Sequence, residues 1–193
     1  MALVIFTFGF GGLEPFAKIF GGLLFLSCVI ELLPYAPDLT VEGNEPHISL
    51  PHSLKEEIER LPGTEKVYGR MFCTDIPAND KKGVGKATLV SYDEPQFSWA
   101  SDVLISGDIE NVQNGNGVLV DFGYSQEFHW EIGDIIALDI NGTTHEATVS
   151  GIVSDVPLDS GSGEWIIVCS ENMFTALTGI TDYKIIEVQA STD

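Results

Sequence analysis

A chain of 193 residues can build one sizeable core, or two small lobes that share one, because single domains typically run to about 100–200 residues. Nine Lys and Arg against 29 Asp and Glu leave a net charge of −20, which phosphate backbones and anionic lipid headgroups would repel, so nucleic acid is excluded as a partner and the acidity reads as a solvated surface. The three cysteines, Cys28, Cys73 and Cys169, show no CxxC spacing and each sits in an apolar run, which argues against a zinc framework or a dense disulfide scaffold and leaves open a single Cys73–Cys169 bridge.

From residue 2 to residue 33 only Glu14, Lys18 and Glu31 carry charge. Neither apolar run, 2–6 or 20–26, reaches the roughly 18–20 residues that a spanning helix needs, and the glycine-rich residues 9–12 with Pro15 separate them. Residues 1–36 are read as an apolar membrane-proximal segment, the tail of a first transmembrane helix, with a helix over about 16–33 that Pro34 ends. A core helix over the same residues is the alternative. A secretory signal is rejected, because Met1-Ala2-Leu3 supplies no positive n-region.

Asp38-Leu39-Thr40-Val41-Glu42 alternates apolar and polar residues as a half-buried strand does. Ser53-Leu54-Lys55-Glu56 fits a capping box, Leu54, Ile58 and Leu61 fall on one helical face, and Pro62-Gly63 stops the run. With a strand over 66–74, residues 38–74 form a candidate strand–helix–strand unit. A polar gap at 79–83 precedes a strand at 87–92, after which the pattern is β-rich. Val103-Leu104-Ile105 leads into Ser106-Gly107-Asp108, and a strand at 117–120 leaves the Asn114-Gly115-Asn116-Gly117 turn. A short helix over 122–130 has Asp121 as its cap.

Asn141-Gly142 predicts a two-residue hairpin, because both residues accept the positive φ that matches strand twist. With Ile140 opposite Thr143, Leu138 faces His145 and Ile136 faces Ala147 on the core side, while Asp139, Thr144, Ala137 and Glu146 share the wet side. A strand over 164–170 follows the flexible stretch 159–163, a helix near 172–177 ends at Gly179, and 184–189 closes as a strand.

Little in the sequence points to chemistry. His47, His52, His129 and His145 have no HxxxH or HxH spacing and read as structural histidines. Trp99, Trp130 and Trp165 read as packing anchors before an aromatic ligand patch. No serine lies in a GxSxG elbow, and neither Cys73 nor Cys169 has a histidine nearby in sequence. Gly83-Val84-Gly85-Lys86 is too short for a phosphate loop and reads as a turn, and residues 155–164 lack the alternating acids of a calcium loop. No catalytic, cofactor-binding or metal-binding residue is assigned, no cofactor is called for, and the chain is read as a non-enzyme.

The order of these features resembles the extracytoplasmic, MacB-like periplasmic core domain of FtsX/MacB-type ABC transporter permeases. Asp38-Leu39-Thr40-Val41, the helix, and Leu61-Pro62-Gly63-Thr64-Glu65-Lys66-Val67 are similar to the start of that domain. Ile105-Ser106-Gly107-Asp108, the strand at 117–120, and Ile132-Gly133-Asp134 with the Asn141-Gly142 hairpin and the strand at 147–153 are similar to its later turns and strands. The likeness spans about residues 37–189.

It implies an α+β, bilobed fold: a porter-like strand–helix–strand lobe from residues 37–85 and 180–193, and an inserted β-rich, sabre-like lobe from 86–179, after the apolar membrane-proximal helix. It also implies that the strand at 184–189 pairs in the porter sheet and that a helix and strand follow beyond Asp193, whose absence from these residues is expected to leave an open sheet edge and an uncovered apolar face that promote association. The implied role is to contact substrate or envelope partners on the extracytoplasmic side of the cell membrane and to transmit ATPase-driven motion. Implied partners are a cytoplasmic ABC ATPase subunit, reached through the membrane part, a second permease copy and an envelope protein. The alternative is a membrane-anchored extracellular binding module without a transport role.

Overall fold

The structure is a computed structural model of the protein, and the residues it describes are 5–6, 25–26, 39–42, 49–154, 156 and 165–191. The apolar helix expected within residues 1–36 lies for the most part outside the described residues. Where that segment is described, β1 (Ile5–Phe6) and β2 (Phe25–Leu26) are extended and pair in parallel, so at Phe25–Leu26 the backbone is strand rather than helix. Among the described residues no helix is long and apolar enough to cross a membrane. The chain divides into two compact units, Met1–Arg70 with Thr181–Asp193, and Met71–Ile180, both of mixed α and β structure.

In the first unit, β3 (Leu39–Glu42), α1 (His52–Glu59) and β4 (Thr64–Arg70) form the expected strand–helix–strand sequence. The returning strand β12 (Ile185–Ala190) inserts between β3 and β4 and is antiparallel to both, which leaves β3 and β4 parallel. Ile58, Leu39, Val67, Ile186 and Val188 are buried and make the core. The capping box expected at Ser53 and Glu56 does not form. Helix α1 starts one residue earlier, at His52, behind Pro51, whose side chain makes no capping hydrogen bond and whose φ of −68° suits a helix start. The Tyr183 ring lies against Gly69, where a Cβ would come within 2.4 Å of it, so only glycine fits at that position of β4.

The single strand expected over 66–74 is two strands. Met71 breaks it, and β4 ends in the first unit while β5 (Phe72–Asn79) begins the second. Residues 71–85, grouped with the first lobe in the sequence reading, therefore fall in the second unit. Met71 is fixed there by Ser91, whose Oγ accepts from Met71 N at 2.8 Å and whose N donates to Met71 O at 3.0 Å.

The second unit continues with β6 (Val84–Tyr92), α2 (Glu94–Asp102), β7 (Leu104–Gly107), α3 (Ile109–Gln113), β8 (Val118–Asp121), α4 (Phe122–Phe128), β9 (Ile135–Ile140), β10 (Thr143–Val153), β11 (Trp165–Ser170) and α5 (Glu171–Thr178). Its sheet runs β7-β10-β8-β11-β6-β5-β9, and β9 also pairs with β10. The six strands β10, β8, β11, β6, β5 and β9 thus close on themselves, and β7 extends β10 beyond the end of β9. Closure removes the open edges that a sheet otherwise presents. Leu89, Val120, Ile136, Leu138, Val149 and Ile167 are fully buried on the inner side.

The hairpin has the expected register, with Ile140 opposite Thr143, Leu138 opposite His145 and Ile136 opposite Ala147. Asn141 and Gly142 have φ of 54° and 77°, the left-handed pair that a tight hairpin requires. Helix α4 takes Asp121 as its cap, with Gly123 N donating to Asp121 Oδ1 at 2.6 Å, and it ends at Phe128 because His129 turns left-handed at φ 51°. Helix α5 ends at Gly179, φ 74°, as the C-cap pattern predicts.

Asp80 organises the β5–β6 turn. Its Oδ1 accepts from Lys82 N at 2.8 Å and Gly83 N at 2.9 Å, and its Oδ2 accepts from the Trp130 indole N–H at 2.6 Å. Asp80→Asn keeps the shape but sets an NH2 group against one of these donors. We expect a loss of about 1–2 kcal/mol in urea unfolding, as for a disrupted charge-assisted hydrogen bond. An unchanged midpoint would show that the indole contact contributes nothing.

Candidate functional site

Strands β6 and β11 are parallel neighbours in a register that sets Tyr92 beside Ser170, so both end at the same level. The chain turns into a helix directly after each. Asp93 caps α2 in a reciprocal box with Gln96, accepting from Gln96 N while Gln96 Oε1 accepts from Asp93 N, and the Ser170 Oγ caps α5 by accepting from Met173 N at 3.3 Å. Together with α3 these turns surround a hollow of about 380 Å³. Clefts beyond the carboxyl ends of parallel strands are common ligand positions.

Four carboxylates line this hollow, those of Asp93, Glu94, Glu110 and Glu171, along with the amides of Gln113 and Asn114. Asp93 is buried, and Glu171 Oε1 is shielded from solvent without a hydrogen-bond partner among the described residues. The sequence has no Lys or Arg between Lys86 and Lys184, so the hollow opposes anions. Among the described residues no group of three or more His, Cys, Asp or Glu is placed to hold a metal ion.

The residues weighed in the sequence do not converge on this place. His52 lies in the first unit, where Nε2 contacts Thr181 O at 2.7 Å and Nδ1 contacts the Tyr183 hydroxyl at 3.0 Å. His129 closes α4, His145 is half-buried on β10, and His47 lies outside the described residues. Trp130 and Trp165 are buried and pack edge to face at 5.2 Å, with Phe128 against both, so they act as anchors of the second unit. Trp99 is half-buried against the core formed by Val90, Phe97, Leu119 and Val168.

Cys73 and Cys169 are free thiols, so the bridge that the sequence left open is not formed. Burial pushes both thiols above their ordinary range, Cys169 far above it, which makes them poor nucleophiles. Gly83 to Lys86 belong to the β5–β6 hairpin, as the turn reading has it, and most of 155–164 lies outside the described residues. Near that hairpin, Lys81 bonds Asp134 at 2.5 Å, which holds the Asp134 carboxyl below and the Lys81 ammonium above their usual ranges.

The carboxylates of the hollow do not stand out in the sequence, because three of them, Asp93, Glu94 and Glu110, depend on α2 and α3, helices that no strong sequence pattern marks. The usable signal was Asp93 followed three residues later by Gln96, a capping pair with Pro95 in the first turn.

The chain shares its fold with extracytoplasmic domains of ABC-transporter permeases. It is similar to the periplasmic region of MacB from Actinobacillus actinomycetemcomitans, with a TM-score of 0.60 and 18% identity over 80% of this chain and 74% of that one. It is similar to the extracellular domain of the noncanonic ABC-type transporter YknZ from Gram-positive bacteria, at 0.58 and 14% over 75% and 74%, and to a domain of a permease protein from Porphyromonas gingivalis, at 0.54 and 14% over 75% and 70%. No family model and no curated protein matches the sequence.

Proposed function

We propose that this chain is the extracytoplasmic, non-catalytic domain of an ABC transporter permease, held at the cell membrane. It contacts substrate or an envelope partner outside the membrane and passes on motion driven by a cytoplasmic ATPase subunit. A second permease copy completes the assembly. The unit built from Met1–Arg70 and Thr181–Asp193 corresponds to a porter-like lobe, and Met71–Ile180 to a sabre-like lobe. The observation that carries this reading is the shared fold, which spans 75–80% of the chain in three solved domains of such transporters. Fold alone does not fix function, and the order of turns along residues 37–189 adds independent support from sequence.

The reading is tested in native membranes. A fluorophore is placed at Gln126→Cys, an exposed position on α4, with Cys28 and Cys73 replaced by serine. Its emission is expected to change during ATP hydrolysis and to stay constant with a non-hydrolysable analogue. A constant signal during measured hydrolysis would remove the motion-transmitting role and favour a plain binding module.

A further inference from the structure

The Asn141-Gly142 turn has a second property that folding does not use. Thr143 follows, so Asn141-Gly142-Thr143 is an N-x-[ST] acceptor sequence, and no other asparagine of the chain has Ser or Thr two positions on. The structure places all three residues at the exposed tip of the β9–β10 hairpin. The Asn141 side chain makes no hydrogen bond among the described residues, so its Nδ2 is open to solvent chemistry. Ile140 and Thr143 pair across the turn, and the rigid hairpin below presents the tip outward. Asp139, also exposed, stands two positions before the asparagine on the same wet side of the hairpin strand.

We propose that Asn141 is an N-glycosylation site, carrying an oligosaccharide on Nδ2 at the hairpin tip. This rests on the extracytoplasmic placement proposed above, since such transfer occurs outside the cytoplasm. The donor is a lipid-linked oligosaccharide phosphate. The sugar C1–O bond to the phosphate breaks and the lipid phosphate leaves with the electron pair. Asn141 Nδ2 forms the new C1–N bond and gives up one proton, which the leaving phosphate or solvent takes. A glycan there would cover the wet side of the hairpin, and the buried Ile136 and Leu138 would be untouched.

The test is mass spectrometry of the full-length protein from its native membranes. Cleavage after glutamate releases residues 132–146, bounded by Glu131 and Glu146. The expected result is an intact glycopeptide with the added mass on Asn141. It should be retained in Thr143→Ser and lost in Thr143→Val, which keeps the Asn-Gly turn and a β-branched strand residue. The intact glycan mass is the readout, because Asn-Gly also converts to Asp-Gly by spontaneous deamidation. An unmodified peptide, or a modification that persists in Thr143→Val, would overturn the proposal. Accessibility of Gln126→Cys to a membrane-impermeant maleimide on intact cells separates the two readings. An accessible but unglycosylated chain removes this inference alone, and an inaccessible one removes the placement as well.

Discussion

Ile136→Asp is expected to destabilise the second unit by about 3–5 kcal/mol, whereas Asp139→Asn, three residues on, stays within about half a kcal/mol. Ile136 is 0% exposed and faces Ala147 across the hairpin, inside the closed sheet. A carboxylate there has neither water nor a cation to receive it, since the second unit has its lysines only at 81, 82 and 86, on the β5–β6 hairpin. Asp139 lies on the opposite, exposed side of the same strand. Urea titration of the two variants measures the contrast directly. Equal losses would mean that the two faces of β9 are assigned the wrong way round.

The second large effect belongs to the first unit. Arg70 and Glu187 form an ion pair at 2.7 Å, with side chains only 3% and 11% exposed. Arg70→Met strips the guanidinium from a carboxylate that is held away from water, and the expected loss is about 3–5 kcal/mol. Adding Glu187→Leu should recover most of that loss, because a well-packed apolar pair avoids the desolvation cost that the ion pair carries. If Arg70→Met/Glu187→Leu is no more stable than Arg70→Met, the pair is not the source of the effect. In that case the packing of the arginine stem on β4 is.

Those faces and pairs also show what could be read before the structure. The hairpin was legible because Asn141-Gly142 dictates its own backbone and the alternation on both strands agrees with it. Helix α5 was legible because Gly179 supplies the left-handed cap. Helix α2 was not, since Pro95 looks like a breaker until its place in the first turn is known, where no N–H is needed.

The break at Met71 was equally hidden. Residues 66–74 have strand character throughout, and only their distant partners, β12 for one half and β6 for the other, decide that they belong to different sheets. Closure of the larger sheet rests on two residue pairs, Ala78 with Leu138 and Asn79 with Ala137, far apart in sequence and unmarked by any local pattern. The acidic hollow was hidden for the same reason. Its residues come from the ends of β6, β11 and three helices, and its charge is visible in sequence only as the absence of Lys and Arg from 87 to 183.

In the role proposed above, the chain works as part of an ATP-driven permease. The most direct measurement is affinity purification of the full-length protein from its native membranes in mild detergent, followed by an ATP hydrolysis assay and mass spectrometry of what comes with it. A stoichiometric ATP-hydrolysing subunit is expected, recovered with the protein and lost when the membrane part is removed. Recovery of the protein from the membrane alone, with no ATPase at stoichiometric level under conditions that keep other ABC transporters intact, would contradict it.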